Sequence, residues 1–280
     1  ARAWGLGYLG GLLALAAAWP LMQGGLDDPA AARLFRLAFP LAGMWLALFS
    51  LPALAWLREP RPGGGAEGIP PRTAAAALRE GWRRTAGTLR DLRRHRDLAL
   101  FLAAYFLFID GIDTIFVFAA PYARAAFGFT TGEVLALFLA AQAAGAAGTI
   151  ALAPVADRLG PKRTILLALG GTVPCLAAAG LLSPKEAFWG AALGIASLAG
   201  IVQASARALV SLLAPPGRSA EFFGFFALTG RGAAIAGPIL FGIASDRLAP
   251  RAAVGILILM IGAGMLLLLR VEAGGKERER

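Results

Sequence analysis

Long apolar runs separated by short polar or charged segments dominate this 280-residue chain. Each run is long enough to cross a bilayer core of about 30 Å as an α-helix. The runs are far longer than buried strands and lack the alternation of membrane β-barrel strands. The pattern therefore predicts an all-α integral membrane protein. The eight predicted spans are Trp4–Met22, Leu37–Leu57, Leu98–Tyr122, Val134–Ala156, Thr164–Leu182, Ala187–Leu213, Phe222–Ile243 and Ala252–Leu269.

Composition supports the membrane assignment and narrows the chemistry. Hydrophobic residues make up 58% of the chain and charged residues 16%, whereas soluble domains contain about 25% charged residues. This contrast excludes a soluble enzyme. Only one cysteine, Cys175, and one histidine, His95, are present, so a disulfide framework, a cysteine metal site or a histidine triad is disfavoured. We expect neither a metal nor a cofactor.

Charge is concentrated between the second and third spans. The net charge is +10, and segment 58–97 is the most basic part of the chain. The positive-inside rule places this segment in the cytoplasm together with most other Lys and Arg residues. Leu78, Trp82, Leu89 and Leu92 recur at roughly helical spacing, which is typical of a basic amphipathic helix on the bilayer surface. A solvated charged linker explains the segment equally well.

Domain organisation follows from this segment. The predicted regions are two helices in 1–57, a basic cytoplasmic linker in 58–97, six helices in 98–270 and a cytoplasmic tail in 271–280. This layout resembles the major facilitator superfamily, in which a cytoplasmic linker joins two six-helix halves. The resemblance implies a major facilitator-type helix bundle that holds the last two helices of the first half and the complete second half.

The resemblance also sets expectations about partners and location. No Met precedes Ala1, so we expect a fragment whose partners include the missing N-terminal helices of the same protein. The lipid bilayer and a small-molecule substrate are the other expected partners. We expect a bacterial inner membrane, with both ends of this chain cytoplasmic. Nucleic acid is not expected, because the basic segment lies beside the membrane and carries no recognition motif.

The connection between the fourth and fifth spans reads APVADRLGPKR over residues 153–163. It resembles the superfamily's loop signature, Gly-x-x-x-Asp-Arg-x-Gly-x-Lys/Arg-Lys/Arg, with Ala153 in place of the first Gly. In such a loop the carboxylate can accept from a facing helix N-terminus and hold the cytoplasmic side closed. An ordinary charged loop is the alternative. The predicted latch consists of Asp157, Arg158, Gly160, Lys162 and Arg163.

Further stretches carry a more specific resemblance. They read WGLGYLGG at 4–11, YFLFIDGIDT at 105–114, QASAR at 203–207, PPGRSAEFFGF at 215–225 and GRG at 230–232. Together they are similar to the vacuole-effluxer branch of the major facilitator superfamily, the permease family of the fungal autophagy-related vacuolar amino-acid exporter. Ile109 stands where that family usually has Asn. The resemblance implies a twelve-helix permease, with amino-acid efflux known for fungal members.

Two carboxylates within the third predicted span need an explanation. Asp110 and Asp113 lie three residues apart and hence on one side of a helix. A charge at the bilayer centre costs about 2.5–3.5 kcal/mol on insertion scales. Burial and a like-charged neighbour both favour the protonated carboxyl, so either Asp is a candidate for proton or cation coupling. The alternative is a structural pairing with Arg207 or Arg231.

Other polar groups within the spans are candidates for a substrate cavity. Arg231 is flanked by Gly230 and Gly232, which leaves its guanidinium able to bind a carboxylate in bidentate fashion. Snorkelling of Arg231 to the membrane surface is equally possible. The other cavity candidates are Gln203, Gln142, Tyr105 and Thr229, for which helix packing is the alternative. Gly145, Gly148, Gly190 and Gly194 are predicted packing positions.

Three functional hypotheses follow. The first is a secondary transporter that moves a small solute, in particular an amino acid, by proton-coupled alternating access. The second is a non-transporting membrane scaffold or lipid-moving protein that uses the basic segment. The third is a Mg²⁺-dependent membrane-embedded transferase, with the ion on Asp110 and Asp113. Such sites usually need more carboxylates than one helical turn supplies, so we expect no enzyme.

Overall fold

The computed structural model describes residues 2–22, 29–56, 79, 95–215 and 218–272. Within these ranges the chain forms eight long α-helices and no strands, which confirms the all-α prediction. All eight are long and apolar enough to cross a membrane. The helices are α1 (Arg2–Met22), α2 (Pro29–Trp56), α3 (Arg96–Phe127), α4 (Thr131–Leu159), α5 (Pro161–Leu181), α6 (Lys185–Leu213), α7 (Ser219–Arg247) and α8 (Pro250–Leu269).

Most of the helices extend beyond the apolar runs that predicted them. α2 begins at Pro29 and therefore includes Arg33 and Arg36, and α3 continues past Arg124 to Phe127. Hydropathy marks where a segment leaves the lipid, whereas a helix ends where its backbone hydrogen bonds end. The helix ends are consequently set by caps and turns.

Specific caps set several of these ends. Thr130 and Glu133 form a reciprocal capping box at the start of α4, in which Glu133 Oε2 accepts from Thr130 N–H at 2.7 Å and Thr130 Oγ1 accepts from Glu133 N–H at 3.2 Å. Gly128 ends α3 with φ +65° and Gly160 separates α4 from α5 with φ +76°. Both values favour glycine. Pro161 occupies the first turn of α5.

The chain divides into two compact units, Ala1–Ala16 with His95–Arg280, and Ala17–Arg94. The boundary falls inside α1, so the predicted region 1–57 is shared between the units. In the second unit, Trp45 and Phe49 of α2 stack with ring centroids 4.8 Å apart. The predicted linker at 58–97 lies outside the described residues except for Arg79 and His95–Asp97, and the predicted tail does so beyond Glu272.

The first unit is built on two groups of helices. α3 packs against α7 and α8, α6 packs against α4 and α5, and contacts between α5 and α8 join the groups. Its core contains large side chains that are wholly or almost wholly inaccessible, among them Phe101, Phe108, Leu169, Ile201 and Ile261. We call the end of the unit at which α3 begins the linker end, and the opposite end the far end.

The beginning of α1 belongs to the first unit and packs on α4 and α6. A Cβ built on Gly145 of α4 would lie 2.9 Å from the Tyr8 ring, and one built on Gly200 of α6 would lie 2.7 Å from the same ring. Only glycine leaves room for this ring between the two helices. The first turns of α1 are thereby held against the helices that contribute to the candidate site.

Candidate functional site

A polar cavity of about 360 Å³ lies between α3, α6 and α7. Each helix contributes side chains that recur every three or four residues and hence share one face. Its main lining residues are Tyr105 and Asp113 from α3, Gln203 and Arg207 from α6, and Phe223, Phe226 and Arg231 from α7. The sequence candidates Tyr105, Asp113, Gln203 and Arg231 are thus brought together in one place.

The cavity contains one carboxylate and two guanidinium groups. Asp113 is half-buried, whereas Arg207 and Arg231 are exposed. Throughout the part of the chain that the structure describes, Asp113 has no ion-pair partner within 4.0 Å. The charged side chains therefore surround an open space instead of pairing with one another. Their summed charge is positive.

Arg207 is a cavity residue that sequence reasoning treated only as a structural arginine. Its guanidinium lies over the Trp4 ring, with Cζ 4.2 Å from the centroid, which is cation–π geometry. The spacing of Gln203 and Arg207, four residues apart within an apolar run, is the signal that could have placed both on one helix face. Which partner Arg207 contacts depends on α1 and is not readable from that spacing.

The aromatic wall of the cavity is formed by α3 and α7. The rings of Tyr105 and Phe226 lie 4.2 Å apart by centroid, and Phe101 stacks on Phe226 at 6.4 Å. A Cβ on Gly230 would lie 3.2 Å from the Tyr105 hydroxyl. The glycine beside Arg231 therefore allows α7 to approach Tyr105 closely.

Asp110 lies in a different environment from Asp113. It is completely buried, and its Oδ2 accepts a 2.7 Å hydrogen bond from Gly237 N–H of α7. Three residues along an α-helix correspond to about 300° of rotation, so the two carboxylates diverge by roughly 60°. That divergence directs Asp113 towards the cavity and Asp110 towards the middle of α7.

Two sequence candidates do not line this cavity. Thr229 donates from Oγ1 to Phe225 O of its own helix at 2.8 Å. Gln142 lies against α1, where a Cβ on Gly11 would collide with its amide nitrogen. The side chain of Thr229 is thus occupied within α7, and Gln142 lies at the contact between α4 and α1.

The predicted latch residues lie around the α4–α5 turn. Gly160 forms the turn, and Lys162 Nζ donates to Leu269 O at 3.0 Å and Val271 O at 2.6 Å. Lys162 thereby binds the carbonyl end of α8. Asp157, Arg158 and Arg163 are exposed and make no hydrogen bond or ion pair with any other described residue. The latch function stays a prediction.

Comparison with known proteins identifies related chains. The family model described as "Vacuole effluxer Atg22 like" matches residues 1–280. The chain is 31% identical to Autophagy-related protein 22-2 of Sclerotinia sclerotiorum over 268 residues, covering 86% of this chain and 40% of that protein. It is 30% identical to Autophagy-related protein 22 of Pyricularia oryzae over 315 residues, covering 100% of this chain and 44% of that protein.

A third relative has a similar identity and is covered to a similar extent. Autophagy-related protein 22 of Yarrowia lipolytica is 28% identical over 275 residues, covering 87% of this chain and 46% of that protein. The chain therefore spans less than half the length of these curated relatives.

These comparisons correct one expectation and confirm another. The expected location in a bacterial inner membrane is wrong, because these relatives come from fungi and the family description names a vacuole. The location was an expectation attached to the family resemblance, and the charge pattern reports only orientation across a membrane and not the kind of membrane. The matched family is one of effluxers, which confirms the expectation that the protein is not an enzyme.

Proposed function

The chain belongs to the Atg22-like vacuole effluxer family, and from this membership and the cavity between α3, α6 and α7 we propose that it forms part of a secondary transporter for amino acids. The observation that carries the proposal is the set of charges around one open space, namely Asp113, Arg207 and Arg231. An α-amino acid has a carboxylate and an ammonium group, and this set offers a partner for each.

The cavity offers groups that are complementary to the charges of such a solute. A guanidinium binds a carboxylate through two parallel hydrogen bonds, and either Arg207 or Arg231 supplies this group. Asp113 supplies the counter-charge for the ammonium group. Phe223 and Phe226 provide an apolar wall for the side chain of the solute. Ligand pockets commonly combine such apolar walls with a few polar anchors.

Proton coupling is the second part of the proposal. Asp113 faces the cavity and Asp110 lies three residues before it, so a proton on either carboxyl changes the charge that the solute meets. Secondary transporters bind solute and coupling ion near the bilayer midplane and expose the site alternately to each side. The predicted latch at Asp157 and Arg158 would act in this movement by holding one side closed.

The test is solute-induced proton flux in proteoliposomes that contain the full-length protein. We expect a neutral amino acid to drive proton movement in the wild type, and Asp113→Asn to abolish it. Asp246→Asn is the matched control, because Asp246 is an exposed carboxylate in the last turn of α7. No flux with any amino acid, from protein shown to be folded, would refute the proposal.

Solute analogues test the assignment of the charged groups. The methyl ester of a transported amino acid lacks the carboxylate that the arginines bind, and the deaminated acid lacks the ammonium group that Asp113 binds. We expect neither analogue to compete with the parent amino acid. Competition by the ester at the parent concentration would show that the guanidinium groups do not bind the carboxylate.

A further inference from the structure

Two buried oxygens without partners face the same point beside Gly237. Asp110 Oδ1 and Thr114 Oγ1 both lack a hydrogen-bond partner, and both residues are 0% exposed. A Cβ built on Gly237 would collide with both atoms. The two oxygens therefore border one small space, which exists only because residue 237 is glycine.

Thr114 differs from three other hydroxyl residues within the helices of this unit. Thr172, Ser197 and Thr229 each donate to the carbonyl four residues earlier at 2.8–2.9 Å. This bond satisfies a hydroxyl group in an apolar bundle. Thr114 makes no such bond, and its oxygen faces Asp110. An unpartnered buried hydroxyl is destabilising, so a partner for Thr114 is expected at this position.

The donor from α7 exists because that helix is bent. Ala234 has ψ 15° inside α7, and Pro238, four residues later, has no N–H to donate to its carbonyl. Next to this break the Gly237 N–H donates to Asp110 Oδ2 instead of serving the helix alone. Asp110 thus stabilises the bend by accepting one backbone N–H through one oxygen, which leaves Oδ1 to be satisfied.

The charged groups near Asp110 do not compensate an ionised carboxylate there. Arg231 of α7, Arg207 of α6 and Asp113 of α3 line the solute cavity, which Asp110 does not line. α8, which packs at Gly111, has no charged residue from Ala252 to Leu269. Within the described ranges Asp110 has no ion-pair partner within 4.0 Å. Protonating an isolated buried carboxylate costs far less free energy than keeping it ionised in an apolar environment.

From this geometry we infer that Asp110, Thr114 and Gly237 form a proton-binding site, in which Asp110 Oδ1 carries the proton and donates it to Thr114 Oγ1 while Oδ2 accepts from Gly237 N–H. The proton removes the buried charge and gives Oδ1 a hydrogen to donate to Thr114 Oγ1. Asp110 and Asp113 therefore have different roles. Asp113 meets the solute, whereas Asp110 binds the proton beside the bend of α7.

Because Asp110 contacts α7 at its bend, protonation of Asp110 is expected to affect the position of that helix. Loss of the proton leaves a buried anion whose donors are the Gly237 N–H and the Thr114 hydroxyl, with no cation paired to it among the described residues, and this favours a looser α3–α7 contact that admits water or a cation. Proton release at Asp110 is thereby linked to movement of the part of α7 that follows Ala234. Thr114 and Gly237 act through Asp110 and are positioning residues.

Infrared difference spectra of the full-length protein test the proton directly and do not depend on transport. At neutral pH, exposed Asp and Glu are ionised, so we expect a protonated-carboxyl band in the wild type that Asp110→Asn removes. Thr114→Val should shift this band to higher frequency. Thr149→Val is the matched control, because Thr149 is also buried with an unpartnered hydroxyl but lies against Gly200. Absence of the band, or its loss on adding Na⁺, would overturn the inference.

A second experiment, which measures transport, rests on the proposed function. We expect Thr114→Val to lower proton-coupled flux about tenfold while solute binding is retained, and Thr149→Val to leave the flux unchanged. If the wild type shows no coupled flux, the proposed function fails but the infrared result still decides the proton site. If the wild type is active and the two threonine variants behave alike, the proton site has no role in coupling.

Gly237→Ala provides a second check on the geometry, since its added methyl group would occupy the space between the two oxygens. We expect the carboxyl band to shift in this variant. Gly242→Ala is its control, because a Cβ at Gly242 would meet nothing within 4 Å. An unchanged band in Gly237→Ala would contradict the proposed arrangement.

Discussion

The guanidinium of Arg207 lies over the indole ring of Trp4, with its Cζ 4.2 Å from the ring centroid. This contact joins the first turn of α1 to a residue that lines the polar cavity. A guanidinium that is stacked on an indole keeps its N–H groups free for hydrogen bonds in the ring plane. Trp4 therefore positions Arg207 for a solute carboxylate without occupying its donors.

Replacing Trp4 tests this positioning. Cation–π contacts contribute about 0.5–2 kcal/mol depending on desolvation, so we expect Trp4→Leu to raise the half-saturating solute concentration by roughly 2- to 30-fold. Trp4→Phe keeps an aromatic face and should have a smaller effect. The measurement is solute uptake as a function of concentration in proteoliposomes.

Trp45→Leu is the control for the loss of an indole, because Trp45 stacks on Phe49 within α2. We expect it to leave the half-saturating concentration unchanged. Equal effects of Trp4→Leu and Trp45→Leu would show that loss of a tryptophan, and not loss of the Arg207 contact, weakens binding.

The second prediction concerns the two parallel hydrogen bonds that the guanidinium of Arg231 can donate to a carboxylate. Lysine cannot form two parallel hydrogen bonds to a carboxylate, and one charge-assisted hydrogen bond contributes about 1.5–3 kcal/mol. We expect Arg231→Lys to weaken binding of an amino acid by about tenfold or more, measured by calorimetry. Arg247→Lys, an exposed arginine at the other end of α7, should leave the affinity unchanged, and equal losses would contradict the role of Arg231.

Close packing of α4 against α6 is the third prediction. A Cβ at Gly148 would collide with the carbonyl oxygen of Ser197 and lie 2.7 Å from its Cα. Two backbones cannot give way as a flexible side chain can, so we expect Gly148→Ala to cost about 1–3 kcal/mol of stability. A lower midpoint of thermal unfolding in detergent would report this loss.

The matched control for this packing is Gly190→Ala. Gly190 was predicted to be a packing position, but a Cβ there would meet nothing within 4 Å. Alanine also favours a helix over glycine, so we expect an unchanged or raised midpoint. A fall in the midpoint equal to that of Gly148→Ala would mean that the helix backbone, and not the α4–α6 contact, decides the effect.

The fourth prediction concerns the end of α8. Lys162 Nζ binds the carbonyls of Leu269 and Val271, and a cation at the C-terminus of a helix is stabilising. We expect Lys162→Met to increase hydrogen exchange over the last turn of α8, with a loss of about 1–3 kcal/mol. Arg163→Met is the control, because Arg163 is exposed and contacts none of these carbonyls. Unchanged exchange in Lys162→Met would contradict a stabilising role.

The apolar runs of the sequence were sufficient to predict the helices. In lipid each backbone polar group must be bonded within its own segment, so a run of bilayer length in a bundle of this kind becomes a helix whatever its neighbours are. The same local rule puts Tyr105 and Asp113, and Gln203 and Arg207, on shared helix faces, a grouping that the spacing in the sequence allows. The family stretches, including YFLFIDGIDT at 105–114, were also readable without a structure.

Which neighbour each polar side chain meets was decided only by the tertiary structure. Asp110 and Asp113 differ by a rotation of roughly 60°, yet one binds the backbone of Gly237 and the other faces the cavity. Arg207 meets Trp4, a residue far from it in the chain. Such pairings depend on how separate helices pack and where α7 bends, and contacts between distant segments leave no periodicity in the sequence of either one.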